Sequence, residues 1–596
     1  MYTVKAVNLP GEPFNQLKCR IILKFFEFRI DSNFNIIVKP NIVNYFCLQE
    51  MTLAIKINEK AAIILLRTTT HYNIQCFDTK LTVLAGTCSI NGYELLKSSE
   101  ALTLCSLHSH SRISLNTGNS PSLSEVELKE CLYDKGTSCS DVDLSCVGAV
   151  VLVESSEIIS TDLLRSTYKR LWEHEDSTHE PGDGEDVTVV KLDFFQLHQG
   201  LTGAVAISSE WSDPVASLLS DSMVCRVAVC GPQNSGKSTL ARYTVNTLLS
   251  QHSCVLFLES DIGQSELTPP GLVTLSVIRQ PLVNPPYCNS PCFVKTIDLS
   301  SSPENLTSQS HCIGLVSPAQ VMKEYLEKLF DLIDTARQLN SCHVPLIVNF
   351  MGWTKGFGVG LHADILRKLE PTHVLNLQTN SPKDLPPILE VIQSPGIMGD
   401  EQECTLSTGP LISNIPGHIP SKSSSLPFQA FELRHMALLN YFAPIYKSGG
   451  IEAPYKISWK HISVIVPDDI EESLVSYTLN CSVVALLTGP DNSSSDNDEG
   501  IKLVEEDISS MKCLGLGIVR AVDISDKLLY LNTPVDSKTL EHVYTFKHTS
   551  LPVPHIPSGS LPMPYVSNLA ASEIMGTGSR SQRANLKRRY QAMSKG

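Results

Sequence analysis

The sequence lacks an uninterrupted hydrophobic run of about 18 residues, the length that a membrane-spanning helix needs. Its most apolar early stretch, residues 21–30, is broken by three charged side chains. A secretory signal is also missing, because Lys5, Glu12 and Lys18 interrupt any apolar core near the start. The sequence therefore predicts a protein that has no membrane partner and stays in the cytosol or nucleus.

Closely spaced cysteine pairs are absent as well, although the chain has 18 cysteines. No CxxC occurs, and the nearest approach to a zinc-binding knuckle is the pair Cys288 and Cys292, with Cys312 further along. Structural zinc sites usually combine two closely spaced pairs. The pattern favours reduced, mostly buried thiols, and we assign no cysteine as a metal ligand.

Positive charge is scarce, since 47 Lys and Arg residues stand against 62 Asp and Glu residues and the net charge is −15. This balance argues against a protein that coats nucleic acid with its whole surface. The exception is the segment 579–596, which carries six basic residues and no acidic one. Such a tail is typical of a nuclear or nucleolar address, a nonspecific phosphate contact or a solubilising disordered segment.

A chain of 596 residues is too long for one hydrophobic core, and we expect about three or four units. Short alternating or β-branched runs, such as LAIKI and SVVALL, occur both before and after a central region in which strand and helix patterns alternate. The predicted units are an unassigned extension (1–45), a β-rich N-terminal domain (46–215), a central α/β domain (221–445), a small β-rich C-terminal domain (446–575) and a basic tail (576–596).

The central region has the pattern of an α/β fold. Helical spacing is found over 235–252 and 321–339, and short buried-strand runs occupy 225–230, 254–259, 344–350 and 372–378. Strands that alternate with helices predict a parallel sheet covered on both faces. The segment 399–428, rich in Ser, Pro and Gly, predicts a loop or a partly disordered insertion, and 488–500 predicts an acidic flexible insertion.

The sequence GPQNSGKST satisfies the GxxxxGK[ST] pattern between a predicted strand and a predicted helix, the context that a phosphate-binding loop requires. Its glycines let the backbone curl so that N–H groups converge on the β-phosphate, and the helix N-terminus adds partial positive charge. Lys237 is predicted to bridge the β- and γ-phosphates, and the Ser238 hydroxyl to bind Mg²⁺. The predicted ATP-binding residues are Gly231, Pro232, Gln233, Asn234, Ser235, Gly236, Lys237, Ser238 and Thr239.

Two acidic residues follow the next buried strand. Asp261 comes 24 residues after Lys237 and is predicted to act as the general base toward an acceptor hydroxyl, or as a ligand on the metal side. Glu259 is the second choice, since alternate strand residues face the same side. The alternative for Asp261 is a structural role in capping a turn.

Two further segments offer groups that could hold a nucleic acid. NFMGWTKGFG follows a predicted strand, so Trp353 is placed to stack on a base and Lys355 to meet a phosphate. The alternative for Trp353 is a place in the core. FELRHMALLNYF predicts a helix that carries Arg434, either as a lid residue that reaches the transferred phosphoryl group or as a solvated surface arginine.

Together, GPQNSGKST, LESDIGQSELTPPG, NFMGWTKGFG and LRHMALLNYF resemble the motifs of the polynucleotide 5′-hydroxyl kinase family. The TPPG that ends at Gly271 and the basic tail are most similar to its nucleolar branch, which processes ribosomal RNA. The resemblance covers roughly residues 50–575 and implies a β-rich domain, a central P-loop kinase domain and a small C-terminal domain. The sequence departs from the family in having Phe350 where a threonine is usual in NTxGW.

The resemblance implies ATP and Mg²⁺ at Lys237 and Ser238, Asp261 as the base, Gln264 near the metal or acceptor, Trp353 on the terminal base and Arg434 as a lid residue. It further implies phosphorylation of a 5′-hydroxyl RNA end during processing of the second internal transcribed spacer, in the nucleus and nucleolus. The implied partner is the endoribonuclease that cuts this spacer, in a higher-order assembly.

Three other functions are weighed against this one. The first is an ATP-binding scaffold of an RNA-processing complex that transfers no phosphate. The second is the related kinase branch of mRNA 3′-end formation and tRNA splicing. The third is a regulatory GTPase, which is disfavoured because TNSPKD, residues 379–384, does not match the [NT]KxD spacing that reads guanine.

Overall fold

The described part of the chain opens with a two-stranded pair and a sheet of nine strands. In the computed structural model, the described residues are 28–30, 36–38, 53–97, 99–107, 109–118, 122–133, 146–156, 159–171, 187–200, 207–220, 225–289, 308–340, 343–399, 409–418, 428–447, 450–489 and 501–554. The basic tail and the segment 180–186 lie outside these residues.

The N-terminal sheet is organised around one long strand, β5, which pairs with five others and is 20 residues long. Alternate residues along the strands of this sheet are buried in two clusters, one on each face. The helix Glu125–Tyr133 covers one of these clusters. The elements are β1 (Phe28–Ile30), β2 (Ile36–Val38), β3 (Leu53–Asn58), β4 (Ala61–Arg67), β5 (His71–Ile90), β6 (Tyr93–Leu96), β7 (Leu102–Ser106), β8 (Ile113–Asn116), α1 (Glu125–Tyr133), β9 (Val147–Ser155), α2 (Ile159–Thr167), β10 (Val187–Lys191) and β11 (Phe195–Gln199).

The central sheet has seven strands in the order β15-β14-β13-β16-β12-β17-β18. Its elements are α3 (Ser209–Ser220), β12 (Arg226–Cys230), α4 (Lys237–Leu248), β13 (Val255–Glu259), β14 (Leu272–Ile278), β15 (Gln309–Cys312), α5 (Met322–Asn340), β16 (Leu346–Asn349), α6 (Phe357–Leu369), β17 (His373–Gln378), α7 (Ile388–Gln393) and β18 (Leu411–Pro416). The predicted α/β class and all four predicted central strands are confirmed.

Both faces of the central sheet are covered, as the alternation of strands and helices predicts. On β12, Ala228 and Cys230 face one cluster, which includes the apolar sides of α5 and α6. Val227 and Val229 face the opposite cluster, which includes α3 and α4. Since successive strand side chains point to opposite faces, the short apolar runs are buried on both sides.

The prediction of a purely parallel sheet is wrong at one edge, because β14 is antiparallel to β13 and β15 is antiparallel to β14. The other five strands are parallel. A parallel connection needs a crossover, usually a helix, but no helix lies between Glu259 and Leu272. The chain therefore re-enters the sheet from the edge at which β13 ends.

The prediction of a loop over 399–428 is also wrong in part, because β18 lies within it and pairs in parallel with β17. Most of its side chains are exposed or partly buried at the edge of the sheet. An edge strand with this burial has no strong apolar alternation in its sequence, so composition alone indicated a loop.

The C-terminal elements form a third sheet of seven strands in the order β21-β26-β25-β23-β27-β22-β24, and β19 pairs separately with β20. These elements are α8 (Ala430–Phe442), β19 (Tyr446–Lys447), β20 (Gly450–Ile451), β21 (Tyr455–Ser458), β22 (Ser463–Ile465), α9 (Val475–Leu479), β23 (Ser482–Leu487), β24 (Lys502–Leu503), β25 (Cys513–Asp523), β26 (Leu528–Asn532), α10 (Ser537–Leu540) and β27 (Thr545–His548). Among the described residues, no helix combines the length and apolar character needed to cross a membrane.

A buried ionic cluster joins the central and C-terminal sheets. Lys328 on α5 donates to Glu324 and Glu506 at 2.7 and 2.8 Å, and Lys547 on β27 donates to the same two carboxylates at 2.7 and 2.6 Å. The Lys328 side chain is fully buried. Two cations and two anions therefore balance each other where the two sheets meet.

Replacing Lys328 with methionine is expected to lower the free energy of unfolding by about 3 kcal/mol, because it leaves Glu324 and Glu506 with Lys547 as the remaining cation of the cluster. Urea unfolding of the full chain measures this change. The matched control is Lys129→Ala, which removes an ion pair to Glu125 whose side chains are 65% and 68% exposed and is expected to change nothing measurable. Equal losses in the two variants would contradict a special contribution from the buried cluster.

Candidate active site

The phosphate-binding loop lies between β12 and α4, where the sequence predicts it. Asn234 and Gly236 have φ angles of 63° and 99°, so the loop curls through left-handed conformations before the helix begins at Lys237. Gly231 has a φ of 146°, and a Cβ atom there would lie 2.9 Å from the Leu377 carbonyl oxygen. The loop therefore has the tight backbone that lets successive N–H groups face an anion.

The Lys237 side chain is held inside this loop. It is 8% exposed, and its ammonium donates to the Pro232 carbonyl oxygen at 2.7 Å. Burial lowers the pKa of Lys237 to about 8, and the nearby charges of Asp261 and Glu259 oppose that shift. A cation and the strand-end carboxylates thus share one small region.

The two strand-end carboxylates occupy different environments. Glu259 is 3% exposed and accepts hydrogen bonds from the backbone N–H groups of Asp261 and Glu266 at 3.1 and 3.3 Å. Burial raises the pKa of Glu259 well above its usual range, and the charges of Asp261 and Glu266 raise it further. Glu259 is therefore engaged in holding the loop that follows β13.

Asp261 is the more accessible of the two. It is partly buried, and its Oδ1 accepts the backbone N–H of Gly263 at 3.0 Å, which is a turn-capping bond. Gln264, three residues later, is exposed, and its backbone N–H donates to the Asp261 carbonyl oxygen at 3.3 Å. Asp261 therefore makes the turn-capping bond with one carboxylate oxygen, while its side chain stays partly accessible.

Arg434 faces the same carboxylate from α8. It is partly buried, and burial lowers the pKa of its guanidinium while the charge of Asp261 opposes the shift. Helix α8 buries Met436, Leu439 and Phe442, so Arg434 extends from an anchored helix. The arginine and the phosphate-loop lysine both lie within electrostatic range of Asp261.

The segment after β16 closes over the phosphate loop. A Cβ atom on Gly352 would lie 2.8 Å from Gln233 Cα and 3.1 Å from Lys237 Nζ, so glycine allows the two backbones to touch. Trp353 is partly buried and packs against the central core, whereas Lys355 is exposed. Trp353 thus makes the predicted core contact, and its stacking on a base stays a prediction.

Sequence reasoning did not identify Asn349 at this centre, or two exposed phenylalanines on helices α6 and α8. Asn349, the last residue of β16, contacts Ser238 Oγ at 3.3 Å and Glu259 Oε1 at 3.1 Å. Phe357 is 64% exposed at the start of α6 and Phe431 is 63% exposed one turn before Arg434. A polar residue at the end of a buried strand is the signal that could have found Asn349.

An open pocket lies beside the phosphate loop, between α4 and the N-terminal sheet. Its lining includes Thr239, Arg242 and Tyr243 on α4 and His110 and Arg112 from the N-terminal sheet region. Arg242 pairs with the buried Glu266 at 3.2 Å. The last residue of the predicted ATP-binding segment therefore borders this pocket.

The described residues contain no group of three His, Cys, Asp or Glu side chains arranged to hold a metal ion. Cys288 lies 3.4 Å from Cys105, Sγ to Sγ, and both are free thiols. Cys292 lies outside the described residues. The oxygen ligands nearest the phosphate loop are the Ser238 hydroxyl and the carboxylates after β13.

Replacing Gly352 with alanine is expected to weaken ATP binding by about tenfold, because overpacking of this kind typically costs about 1–3 kcal/mol. The new methyl group must displace either the Gln233 backbone or the Lys237 ammonium. Gly409→Ala is the matched control, since a Cβ atom there meets nothing within 4 Å. Calorimetric titration with ATP measures both variants, and unchanged binding by Gly352→Ala would contradict the close approach.

Two family models match the chain. The one described as mRNA cleavage and polyadenylation factor CLP1 P-loop matches residues 231–394, and the one described as NOL9-like, C-terminal domain matches residues 451–554. A solved structure of a wild-type Clp1p-Pcf11p complex aligns with a TM-score of 0.48 and 13% identity, over 83% of this chain and 98% of that chain.

Curated relatives extend the similarity across both regions. Polynucleotide 5′-hydroxyl-kinase NOL9 of Bos taurus is 27% identical over 382 residues, which cover 57% of this chain and 50% of the relative, so the match spans half the length of the bovine protein. The NOL9 protein of Arabidopsis thaliana is 32% identical over 362 residues, which cover 56% of this chain and 88% of the relative. The resemblance inferred from the motifs is confirmed, and the chain belongs to the polynucleotide 5′-hydroxyl-kinase NOL9 family.

Proposed function

We propose that this protein transfers the γ-phosphate of ATP to the 5′-hydroxyl end of an RNA strand. The observation that carries the proposal is that Asp261 lies within electrostatic range of both Lys237 and Arg434, while Gly352 closely approaches the phosphate loop. Phosphoryl transfer needs alignment and neutralised charge more than covalent help from the protein. A buried lysine, a carboxylate and an anchored arginine supply these needs in one place.

ATP is the proposed donor, with its phosphates against residues 231–239 and its nucleoside in the pocket beside Thr239. Lys237 would exchange its contact with the Pro232 carbonyl oxygen for the β- and γ-phosphate oxygens. Arg434 would approach the transferred group from α8. Both cations then offset the negative charge that separates during transfer.

Ser238 and Asp261 offer a hydroxyl and a carboxylate, which are among the oxygen ligands that Mg²⁺ prefers. Asn349 links the Ser238 hydroxyl to Glu259, and Glu259 in turn accepts the backbone N–H of Asp261. Ser238 would hold the ion, with Asp261 as the candidate second ligand. When bound, Mg²⁺ neutralises phosphate charge.

The acceptor end is proposed to enter beside Trp353, with Lys355 on a phosphate and Gln264 near the attacking oxygen. Trp353 keeps a partly open ring, and Lys355 and Gln264 are exposed. Asp261 would accept the proton of the 5′-hydroxyl through the carboxylate oxygen not used by Gly263. The attacking oxygen then faces the γ-phosphorus in line with the leaving oxygen.

Membership of the NOL9 family supports a place in ribosomal-RNA processing, within the nucleus and nucleolus. The proposed substrate is the 5′-hydroxyl left in the second internal transcribed spacer, and the proposed partner is the endoribonuclease that makes the cut, in a higher-order assembly. Recovery of this nuclease with the tagged protein supports the partnership. Repeated failure to recover it would count against the partnership but not against the kinase activity.

A labelled-ATP assay with matched 5′-hydroxyl RNA and DNA oligonucleotides tests the proposed reaction. We expect label on the RNA 5′ end, and none when that end already carries a phosphate. ATP binding without transfer to either oligonucleotide would instead indicate a scaffold. Preferential transfer to tRNA-half or mRNA-end substrates over spacer RNA would favour the other kinase branch.

The contacts of Asp384 argue against recognition of guanine by the loop after β17. Its carboxylate accepts the backbone N–H groups of Thr379 and Ser381 at 3.0 and 3.2 Å, and the Thr379 hydroxyl at 2.6 Å. These bonds close the loop on itself. Asp384 is therefore engaged by its own loop, where a guanine-reading carboxylate must face the base.

A further inference from the structure

Asn349 is a buried polar residue at the centre of the site. It ends β16, the strand between β12 and β13, and its backbone lies in register with Val229 on one side and Glu259 on the other. Only 1% of its surface is exposed. A side-chain amide in this position is costly to bury unless its hydrogen bonds are made.

The amide nitrogen of Asn349 joins two groups that come from different elements. It lies 3.3 Å from Ser238 Oγ on α4, and 3.1 and 3.4 Å from the two carboxylate oxygens of Glu259 on β13. The same oxygens accept backbone N–H groups from Asp261 and Glu266. The N–H side of the Asn349 amide faces Glu259 and adds to these donors.

The amide oxygen of Asn349 is not matched in the same way. Among the described residues, Oδ1 is buried and has no hydrogen-bond partner. A buried acceptor of this kind raises the free energy of the protein until a donor reaches it. The amide nitrogen of the same side chain contacts Ser238 Oγ, so the unmatched oxygen belongs to a residue that borders the predicted phosphate site.

We propose that Asn349 is a positioning residue for the nucleotide-bound metal. Its N–H groups fix the Ser238 hydroxyl against Glu259, and its Oδ1 accepts a hydrogen bond from a water molecule carried by Mg²⁺ with ATP. Mg²⁺ keeps several of its waters in such sites, and outer partners of this kind orient the groups that touch the metal. The inference rests on the proposed function only in placing ATP and Mg²⁺ at Ser238.

Nucleotide binding measured with Mg²⁺ and again with EDTA tests this role without requiring catalysis. For Asn349→Ala we expect ATP affinity to fall about tenfold with Mg²⁺ and to stay unchanged in EDTA. Asn349→Val, whose β-branched side chain suits a strand, is expected to give the same result and covers a failure of the alanine variant to fold. An equal loss in both buffers would overturn the proposal.

Asn376→Ala is the matched control. Asn376 is also 1% exposed, lies on β17 on the other side of β12, and likewise has a buried Oδ1 without a partner among the described residues. Its Nδ2 donates to Asn414 at 2.9 Å, away from Ser238. We expect its ratio of affinities with and without Mg²⁺ to equal that of the wild type, and a ratio as low as that of Asn349→Ala would overturn the assignment.

A double-mutant cycle with Ser238→Ala separates positioning from a general packing effect. If Asn349 acts through Ser238, adding Asn349→Ala to Ser238→Ala produces little further loss of Mg²⁺-dependent binding. Independent, additive losses would overturn the proposal. Because these are binding measurements, a wild-type protein that binds ATP but transfers nothing would refute the proposed function while leaving this inference intact.

Discussion

Replacing Lys237 with alanine is expected to lower phosphate transfer to a 5′-hydroxyl RNA by at least about a thousandfold. The ammonium is the buried cation inside the phosphate loop, and removing one preorganised donor from developing charge typically costs about 100–1,000-fold. Loss of ATP binding adds to this effect. Initial rates with labelled ATP, at saturating RNA, measure the change.

Lys538→Ala provides the comparison for Lys237→Ala. Lys538 is exposed on α10, in the C-terminal part of the chain, and its removal is expected to leave the rate unchanged. Thermal unfolding of both variants establishes that they fold. Transfer by a folded Lys237→Ala variant within tenfold of the wild type would contradict the proposed use of the phosphate loop.

Replacing Asp261 with asparagine is expected to lower kcat by about 100–10,000-fold, the range for loss of a general base. The change keeps the shape of the side chain and one oxygen that can accept the Gly263 N–H group, so the turn is preserved. ATP affinity in EDTA is expected to change little. Single-turnover transfer to RNA measures the chemical step separately from product release.

Asp334→Asn is the control for the carboxylate. Asp334 is 52% exposed and pairs with Lys368 at 2.7 Å on the surface, so its removal is expected to leave kcat unchanged. If Asp261→Asn retains more than about a tenth of the wild-type kcat, Asp261 is a turn cap and not the base.

The parts of the site that the sequence predicts correctly are those encoded by contiguous residues. GPQNSGKST specifies its own turn, because glycine spacing and the flanking strand and helix are local properties. Asp261 is found in the same way, since a carboxylate after a buried apolar run lies at the carboxyl edge of a parallel sheet. The roles of Asp261, Trp353 and Arg434 remain predictions.

Features that depend on distant parts of the chain are not visible in the sequence. The antiparallel pairing of β14 and β15 depends on where the segment that follows Glu259 is held. Strand β18 makes its sheet hydrogen bonds only beside β17. The bridge from Asn349 to Ser238 joins residues 111 positions apart. Spacing rules describe local geometry, so contacts between distant residues can be found only in the folded structure.

The central claim is that the phosphate loop, Asp261 and the segment around Trp353 bring one RNA terminus to the last phosphate of ATP. A structure of the protein with a non-hydrolysable ATP analogue and a 5′-hydroxyl oligoribonucleotide tests it most directly. The account predicts that the 5′-oxygen lies about 3–3.5 Å from the γ-phosphorus. This oxygen is expected to lie between the γ-phosphorus and the Asp261 carboxylate, with Lys237 bound to the phosphates. An RNA terminus bound on the far side of the central sheet would contradict it.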